Sequence, residues 1–183
     1  LTGLEFAWGI PGSVGGAAFM NAGAFEGQFS DVLISTTHVT KTGKTDSLLG
    51  PEMEMDYRKS AYQKNGCIIT SVVARLEPGN PEQISMQMDD YFRRRKEKQP
   101  LEMPSAGSIF KRPDGAYAGA LIEQCGLKGE QIGGAMVSEK HAGFIVNAGD
   151  ATCSDVMALI EKIQETVQKQ TGVSLECEVR PIS

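Results

Sequence analysis

The chain has 183 residues, enough for one large domain or two small ones. Hydrophobic residues make up 40% of it and charged residues 22%, and 18 basic against 23 acidic side chains give a net charge of -5. This profile is that of a globular protein and disfavours nucleic acid as a partner, because binding to phosphates needs a basic surface. The four cysteines form no Cys-x-x-Cys pair and only two histidines are present, which argues against a structural zinc site and favours reduced thiols in a cytoplasmic setting.

The N-terminal stretch raises the question of a leader or a membrane span. The sequence begins at Leu1 without a secretory leader, so we expect a fragment of a longer protein. Residues 6–25 carry no charge over the length of a membrane span, but they contain Pro11 and five glycines. We therefore interpret this stretch as a buried glycine-rich loop rather than a transmembrane helix.

Strands and one helix are predicted in the first half. Residues 32–40 and 67–76 are rich in β-branched side chains and predict strands, the second of them buried, while residues 42–44 supply a turn. Residues 81–98 predict a helix, since proline stands in the first turn, apolar residues recur at helical spacing and basic residues close it. The basic run 93–98 is expected to be solvated.

A proline-punctuated stretch separates the two halves. Residues 99–113 contain three prolines and break the helical pattern, so we place a domain boundary near Gln99. The predicted fold class is α+β. Residues 1–98 are expected to form mainly strands with one helix, and residues 99–183 a small domain with helices on one side of an antiparallel sheet.

The second half is predicted to hold two helices and a closing strand. One helix should end at Gly126, and two short apolar runs follow it. A long amphipathic helix is predicted from a cap at Ser154 to Gly172, with an inner face formed by Val156, Leu159, Ile160, Ile163 and Val167. Residues 173–182 alternate apolar and polar side chains, which is typical of a strand.

Two stretches of the first half could bind an anion. Gly9–Gly16 and Asn21–Gly23 could point successive backbone N–H groups at a pyrophosphate. Their spacing matches neither common phosphate-binding motif, so close packing of turns is the alternative. In Asp56–Ser60, Arg58 beside Tyr57 could grip a carboxylate, a phosphate or an enolate, with an ordinary surface arginine as the alternative.

Two stretches of the second half could also carry chemistry. Ser105–Ser108 presents hydroxyl groups, but the scarcity of histidines and the absence of a G-x-S-x-G elbow disfavour a serine hydrolase. A hydroxyl that protonates a carbanion needs no triad, and a turn serine is the alternative. Glu176, Glu178 and Arg180 share one face, which by default is a solvated one.

Together these stretches resemble one family. The chain resembles UDP-N-acetylenolpyruvoylglucosamine reductase (MurB) in its shorter type II form. The resemblance extends over essentially the whole chain. The motifs that carry it, in the order and spacing of the family, are residues 3–25, 57–60, 104–113, 119–147 and 175–180. It implies a cytoplasmic bacterial enzyme, monomeric as the parent protein, that holds FAD and uses NADPH to reduce the enolpyruvyl group of a UDP-sugar. It also implies a place in peptidoglycan synthesis, and so in cell-wall biogenesis, cell shape and division, with no nucleic-acid or membrane partner and no metal.

The resemblance also implies roles for individual residues. Ser108 would protonate the substrate carbon, and Arg58 and Glu178 would stabilise the enolate. The residues that would face FAD are Ile10, Pro11, Gly12, Ser13, Val14, Gly15, Gly16, Asn21 and Gly23. Those that would contact the substrate are Tyr57, Lys98, Arg112 and His141.

One departure from the family bears on activity. The N-terminal part of the flavin-binding region is absent, so we expect that the chain keeps the catalytic trio but binds FAD weakly or not at all. A non-catalytic fragment that binds a UDP-sugar is the alternative from another functional class. A different flavoenzyme is a third possibility.

Overall fold

The computed structural model describes residues 1–182, which divide into two compact units. Unit 1 is Leu1–Arg95 and unit 2 begins at Lys96. The helices are α1 (Val14–Met20), α2 (Tyr62–Asn65), α3 (Pro81–Lys98), α4 (Ala118–Gln124) and α5 (Cys153–Thr171). The strands are β1 (Gly23–Ala24), β2 (Gly27–Gln28), β3 (Leu33–Val39), β4 (Thr45–Leu49), β5 (Ile68–Ala74), β6 (Ser105–Ser108), β7 (Gln131–Ile132), β8 (Ala135–Val137) and β9 (Phe144–Asn147). This mixture of helices and antiparallel sheets confirms the α+β class.

Unit 1 contains a three-stranded antiparallel sheet in the order β4-β3-β5. Strands β3 and β5 confirm the two predicted strands, but the expected burial of the second is wrong. Ile68 is 71% exposed and Val73 is 53% exposed, because β5 is an edge strand that pairs with β3 alone in this sheet. A β-branched run signals extended backbone and does not say how many faces are covered.

The interpretation of residues 6–25 as a loop is also wrong in part. Val14–Met20 is helical, and Ser13 caps the helix by accepting a hydrogen bond from the Gly16 N–H at 3.0 Å. Ala18 is fully buried in α1 and joins the core of unit 1, whose buried members are Phe6, Ala18, Phe29, Leu33 and Met53. One apolar face and a capping serine were therefore sufficient for a short helix despite two glycines in its first turn.

Helix α3 confirms the prediction over Pro81–Lys98. The expectation that its basic end is solvated fails at Arg95, which is 5% exposed. Its guanidinium lies 5.2 Å from the centroid of the Phe25 ring and donates to the Phe6 carbonyl oxygen at 3.4 Å. No helix among residues 1–182 combines the length and apolarity that a membrane crossing needs.

Unit 2 is built on a four-stranded antiparallel sheet in the order β6-β9-β8-β7. The inner face of α5 is confirmed, since Leu159, Ile160, Ile163 and Val167 are buried and Val156 packs against them. Gly126 and Gly172 follow α4 and α5 with left-handed φ of 70° and 76°, as their predicted places at helix ends require.

The predicted cap of α5 was misplaced by two residues. Thr152, not Ser154, accepts the hydrogen bond from the Asp155 N–H, at 3.1 Å. The Asp155 carboxylate accepts from the Thr152 N–H at 2.8 Å, which completes a capping box. Ser154 lies inside the helix.

The closing strand predicted at 173–182 is wrong as a regular element. A single antiparallel bridge joins Cys177 to Phe110. The alternation nevertheless identifies the correct face, because Leu175 is buried and Cys177 packs against the core of unit 2.

Candidate functional site

In unit 1, Arg58 is held in a tight turn. Asp56 and Lys59 exchange backbone hydrogen bonds of 3.2 and 3.1 Å across it, and Arg58 has a left-handed φ of 51°. That conformation costs a non-glycine residue ~1–2 kcal/mol. The guanidinium donates to the Gly23 carbonyl oxygen at 3.0 Å and lies 5.2 Å from the centroid of the Tyr57 ring. The predicted pairing of an arginine with its aromatic neighbour is therefore present.

Asn21 links this turn to α1. It is 1% exposed and adopts the left-handed conformation just after the helix. Its Oδ1 accepts from the Ser30 N–H at 2.8 Å, and its Nδ2 donates to the Asp56 carbonyl oxygen at 3.0 Å. The side chain predicted to face a cofactor is thus an internal link beneath the Arg58 turn, and its contact with a cofactor remains a prediction.

Sequence reasoning missed two neighbours that hold the end of α1. Ser60 is fully buried, and its Oγ donates to the Phe19 carbonyl oxygen at 2.6 Å. Gln63 Nε2 donates to the Arg58 carbonyl oxygen at 2.9 Å. The guanidinium of Arg58 lies beside the same end of α1, where the helix dipole favours positive charge. The only signal in the sequence was a serine two residues after the arginine.

The glycine-rich segment before α1 is open. Residues 11–14 are exposed, and a side chain added at Gly12 would meet no atom within 4 Å. The first N–H groups of a helix have no acceptor within it, and Ser13 takes the N–H of Gly16. The segment is thus accessible, and its predicted binding of an anion through backbone N–H groups remains a prediction.

In unit 2, a β-bulge sets the direction of Ser108. Ser105 pairs with Val146 and Ser108 pairs with Phe144. Between these two pairs strand β6 advances by three positions, while its partner β9 advances by two. Gly107 absorbs the extra residue with a left-handed φ of 84°. Bulges re-aim side chains. Ser108 is exposed, and its Oγ donates to the Phe110 carbonyl oxygen at 3.3 Å, a long hydrogen bond.

Glu178 lies on the segment next to Ser108. Its N–H donates to the carbonyl oxygen of Ile109, the residue after Ser108, at 2.7 Å. Two residues further along, Lys111 forms an ion pair with Glu176. Glu178 is half-buried. Unit 2 therefore places the backbone segments of Ser108 and Glu178 side by side, while Arg58 belongs to unit 1.

His141 is fixed in one tautomer. Its Nδ1 accepts a hydrogen bond from the Gly143 N–H at 3.0 Å, which leaves the proton of the neutral ring on Nε2. Burial lowers the pKa of His141 below its ordinary 6.5, so the ring is neutral near pH 7. A Cβ at Gly119 or at Gly143 would lie 3.0 Å from its Cε1.

The remaining predicted contacts lie at the surface of unit 2. The guanidinium of Arg112 lies 4.1 Å from the centroid of the Tyr117 ring. Lys98 is exposed at the last residue of α3. A cation stacked on an aromatic ring and an exposed amine suit recognition of phosphate or carboxylate groups.

One concavity of unit 1 contains none of the predicted site residues. It is a cavity of about 260 Å³. Its walls are mostly apolar and are formed by Leu1, Leu4, Glu5, Ala7, Trp8, Ile84 and Met88. Among residues 1–182, no group of three or more histidine, cysteine or acidic side chains is placed to hold a metal ion.

Known proteins match the chain along its whole length. Residues 99–182 match the family model described as UDP-N-acetylenolpyruvoylglucosamine reductase, C-terminal domain. A UDP-N-acetylenolpyruvoylglucosamine reductase of Lachnoclostridium phytofermentans is 51% identical over 182 residues, which are 100% of this chain and 59% of the relative. One of Latilactobacillus sakei is 53% identical over 100% of this chain and 60% of its own length.

A solved structure is similar as well. The crystal structure of UDP-N-acetylenolpyruvylglucosamine reductase (MurB) from Thermus caldophilus matches with a TM-score of 0.84 and 38% identity, over 98% of this chain and 64% of that chain. The chain thus spans about 59% of the length of a curated relative that it matches from end to end.

Proposed function

Because the chain is homologous along its whole length to the UDP-N-acetylenolpyruvoylglucosamine reductases, we propose that it carries the catalytic residues of such an enzyme. The reaction is the reduction of the enolpyruvyl group of a UDP-sugar to give UDP-N-acetylmuramate, with FAD as cofactor and NADPH as electron donor, in peptidoglycan synthesis. The observation that supports it most directly is the bulge that presents Ser108 beside the segment of Glu178.

The residues of unit 1 fit a flavin cofactor. Ile10–Gly16 leads into α1 with open space above Gly12, and a backbone without side chains can approach a pyrophosphate closely. Asn21 and Gly23 follow at the other end of the helix. When bound, FAD supplies a hydride to the enolpyruvyl group. The chain supplies part of the surface that would hold it.

Ser108 holds the proton that the substrate receives. Its Oγ donates a long hydrogen bond to the Phe110 carbonyl oxygen. Because a long hydrogen bond is weak, little stabilisation is lost when the hydroxyl turns from that acceptor to a substrate carbon. The intermediate that accepts the proton is itself a strong base, which is why a serine without a histidine partner is sufficient.

Arg58 and Glu178 stabilise negative charge on the carboxylate oxygens of the enolate. A guanidinium fixed by the Gly23 carbonyl needs no reorganisation when that charge develops. Glu178, in its protonated form, donates a hydrogen bond to the same group. Tyr57, Lys98, Arg112 and His141 contact the rest of the UDP-sugar, with the His141 Nε2–H as a neutral donor.

The activity is tested in a fusion protein. The 183 residues are joined to the part of the Lachnoclostridium phytofermentans relative that they do not match. We expect NADPH oxidation that depends on the enolpyruvyl UDP-sugar. Ser108→Ala should slow reoxidation of the flavin by substrate by about 10²–10⁴-fold, while its reduction by NADPH is unchanged.

Ser105→Ala is the matched control, because Ser105 is an exposed serine of the same strand. Equal slowing of both half-reactions in the Ser108 variant would exclude Ser108 as the proton donor. If the fusion holds flavin but oxidises no NADPH with the UDP-sugar, the reductase proposal fails. Calorimetry on the 183-residue chain then tests the alternative, a fragment that binds the UDP-sugar without turnover.

A further inference from the structure

The hairpin of β1 and β2 has a turn that its sequence does not favour. Phe25 and Glu26 are its two central residues, and both adopt left-handed φ, of 50° and 70°. Such two-residue turns prefer asparagine and glycine, which reach these angles without strain. A phenylalanine there is a conformational outlier, and strain of this kind persists only where the surroundings hold it.

The surroundings hold Phe25 through its ring. The ring stacks on Tyr91 of α3 with the two centroids 4.4 Å apart and the planes 1° from parallel. The guanidinium groups of Arg94 and Arg95 lie 4.9 and 5.2 Å from its centroid. Arg95 is the buried residue of α3. Stacking and cation–π contacts thus fasten the tip of the hairpin to the helix.

The base of the same hairpin contacts Arg58. Gly23 pairs with Gln28 in the hairpin, and its carbonyl oxygen accepts the 3.0 Å hydrogen bond from the Arg58 guanidinium. The fit at this point is tight, because a Cβ on Gly23 would lie 2.9 Å from the Gly27 carbonyl oxygen and 3.4 Å from Arg58 Nη1. The guanidinium also donates to the Asn21 carbonyl oxygen, at the longer distance of 3.5 Å. A displacement of the hairpin therefore moves the nearer of these two acceptors.

We propose that Phe25 is a positioning residue for Arg58: its ring, stacked on Tyr91, fixes the hairpin whose Gly23 carbonyl oxygen orients the Arg58 guanidinium. The importance of this device for the reaction rests on the proposed function, in which Arg58 stabilises the enolate. A small misplacement of such a group lowers the rate of the chemical step more than it lowers substrate affinity.

The test uses the guanidinium itself as the probe. In the ¹⁵N-labelled 183-residue chain, the signal of the Arg58 Nη2–H group, which donates to the Gly23 carbonyl oxygen, is assigned by its loss in Arg58→Lys. Phe25→Ala should move this signal towards that of exposed arginines. It should also speed its exchange with water by about five- to tenfold, the change that weakening one hydrogen bond gives.

Matched variants separate positioning from general destabilisation. Tyr91→Ala removes the stacking partner and should reproduce the effect, while Phe25→Tyr and Tyr91→Phe keep both rings and should leave the Arg58 signal in place. Phe92→Ala, an exposed aromatic of the same helix, should also leave it unchanged. Phe25→Leu keeps apolar bulk without the stack and replaces any alanine variant that fails to fold.

An unmoved Arg58 signal in the folded Phe25→Ala or Phe25→Leu chain would overturn the proposal. So would an equal shift in Phe92→Ala. Reoxidation of the flavin by the enolpyruvyl UDP-sugar in the fusion protein addresses the proposed function separately. If Arg58→Lys leaves the rate of this step unchanged, while the Phe25 variants still move the Arg58 signal, the role of Arg58 fails and the positioning stands.

Discussion

Individual side chains of the candidate site are held mainly by backbone carbonyl and amide groups. Arg58 donates to the Gly23 carbonyl, Asn21 Nδ2 to the Asp56 carbonyl, and Ser60 to the Phe19 carbonyl. Carbonyl groups do not titrate, so these contacts persist over the whole range of pH in which the fold persists. His141 is different, because its one hydrogen bond from Gly143 requires an unprotonated Nδ1.

His141 should therefore make stability depend on pH. Burial lowers its pKa below 6.5 in the folded chain, whereas the unfolded chain titrates near 6.5. Between these values the unfolded state binds more protons, so stability is full above pH ~6.5 and declines as the pH falls below it. We expect the melting temperature to drop between about pH 7.5 and about pH 5.5 in the parent chain, and to drop less in His141→Gln.

The control for this experiment is Glu139→Gln, an exposed change nearby, which should keep the slope of the parent chain. Carboxyl groups held by hydrogen bonds do not confuse the comparison. The Thr152 N–H, for example, lowers the pKa of Asp155 below its ordinary 3.8, so its contribution is lost only at lower pH. Identical slopes for His141→Gln and the parent chain would show that His141 is not the titrating group.

Among the elements, α5 shows what periodicity can and cannot predict. Its inner face and its end at Gly172 follow from spacing and from the need for a left-handed residue. Its start does not, because Thr152 and Ser154 are both capping residues. The choice depends on Asp155, whose carboxylate reaches back to the Thr152 N–H and completes the box.

Two variants measure which of these residues caps α5. Thr152→Ala removes the acceptor for the Asp155 N–H and should lower the free energy of unfolding of unit 2 by ~1 kcal/mol. Ser154→Ala should change it by less than ~0.5 kcal/mol, because Ser154 lies inside the helix and caps nothing. Urea denaturation followed by circular dichroism compares the two. A larger loss in Ser154→Ala would contradict the observed cap.

The turn between β7 and β8 admits no side chain at its second glycine. A Cβ at Gly134 would lie 2.0 Å from the Gly149 carbonyl oxygen and 2.4 Å from the Ala151 N. Both are backbone atoms and cannot rotate away. Gly134→Ala should therefore cost about 3 kcal/mol or more, which thermal unfolding will detect.

Gly172→Ala is the comparator for this substitution. A Cβ there would meet no atom within 4 Å, so only its left-handed φ of 76° is unfavourable and the expected cost is ~1 kcal/mol. Equal losses in the two variants would mean that residues 149–151 can move away from Gly134 more easily than these distances imply.

At the scale of the whole molecule, sequence reasoning was weakest where distant segments meet. The strands β3 and β5 were predictable from composition, but the exposure of Ile68 depends on which strands flank β5. The burial of Arg95 depends on Phe25, which lies far away in the sequence. In the candidate site, too, the residues were predictable but the contacts between distant segments were not. Ser108 and Glu178 were predicted as residues, whereas the bulge that aims Ser108 became visible only in the pairing of β6 with β9.

The whole chain should bind FAD weakly by itself. The open stretch 10–16 is one backbone cradle, and the chain spans 59% of the length of a curated relative. A cofactor with a flavin, a pyrophosphate and an adenosine needs more surface than one cradle provides. Titration of FAD followed by flavin fluorescence should show no stoichiometric quenching with the 183-residue chain, and stoichiometric quenching with the fusion protein.

The cradle can be tested within that fusion by variants at two glycines. Gly12 and Gly43 both have positive φ and open space where a Cβ would stand. Gly12→Asp places a carboxylate where phosphates are expected and should weaken FAD binding at least about tenfold, whereas Gly43→Asp, in the turn between β3 and β4, should not. Tight stoichiometric binding of FAD by the 183-residue chain would overturn the expectation of weak binding, and equal effects of the two variants would remove residues 10–16 from the cofactor site.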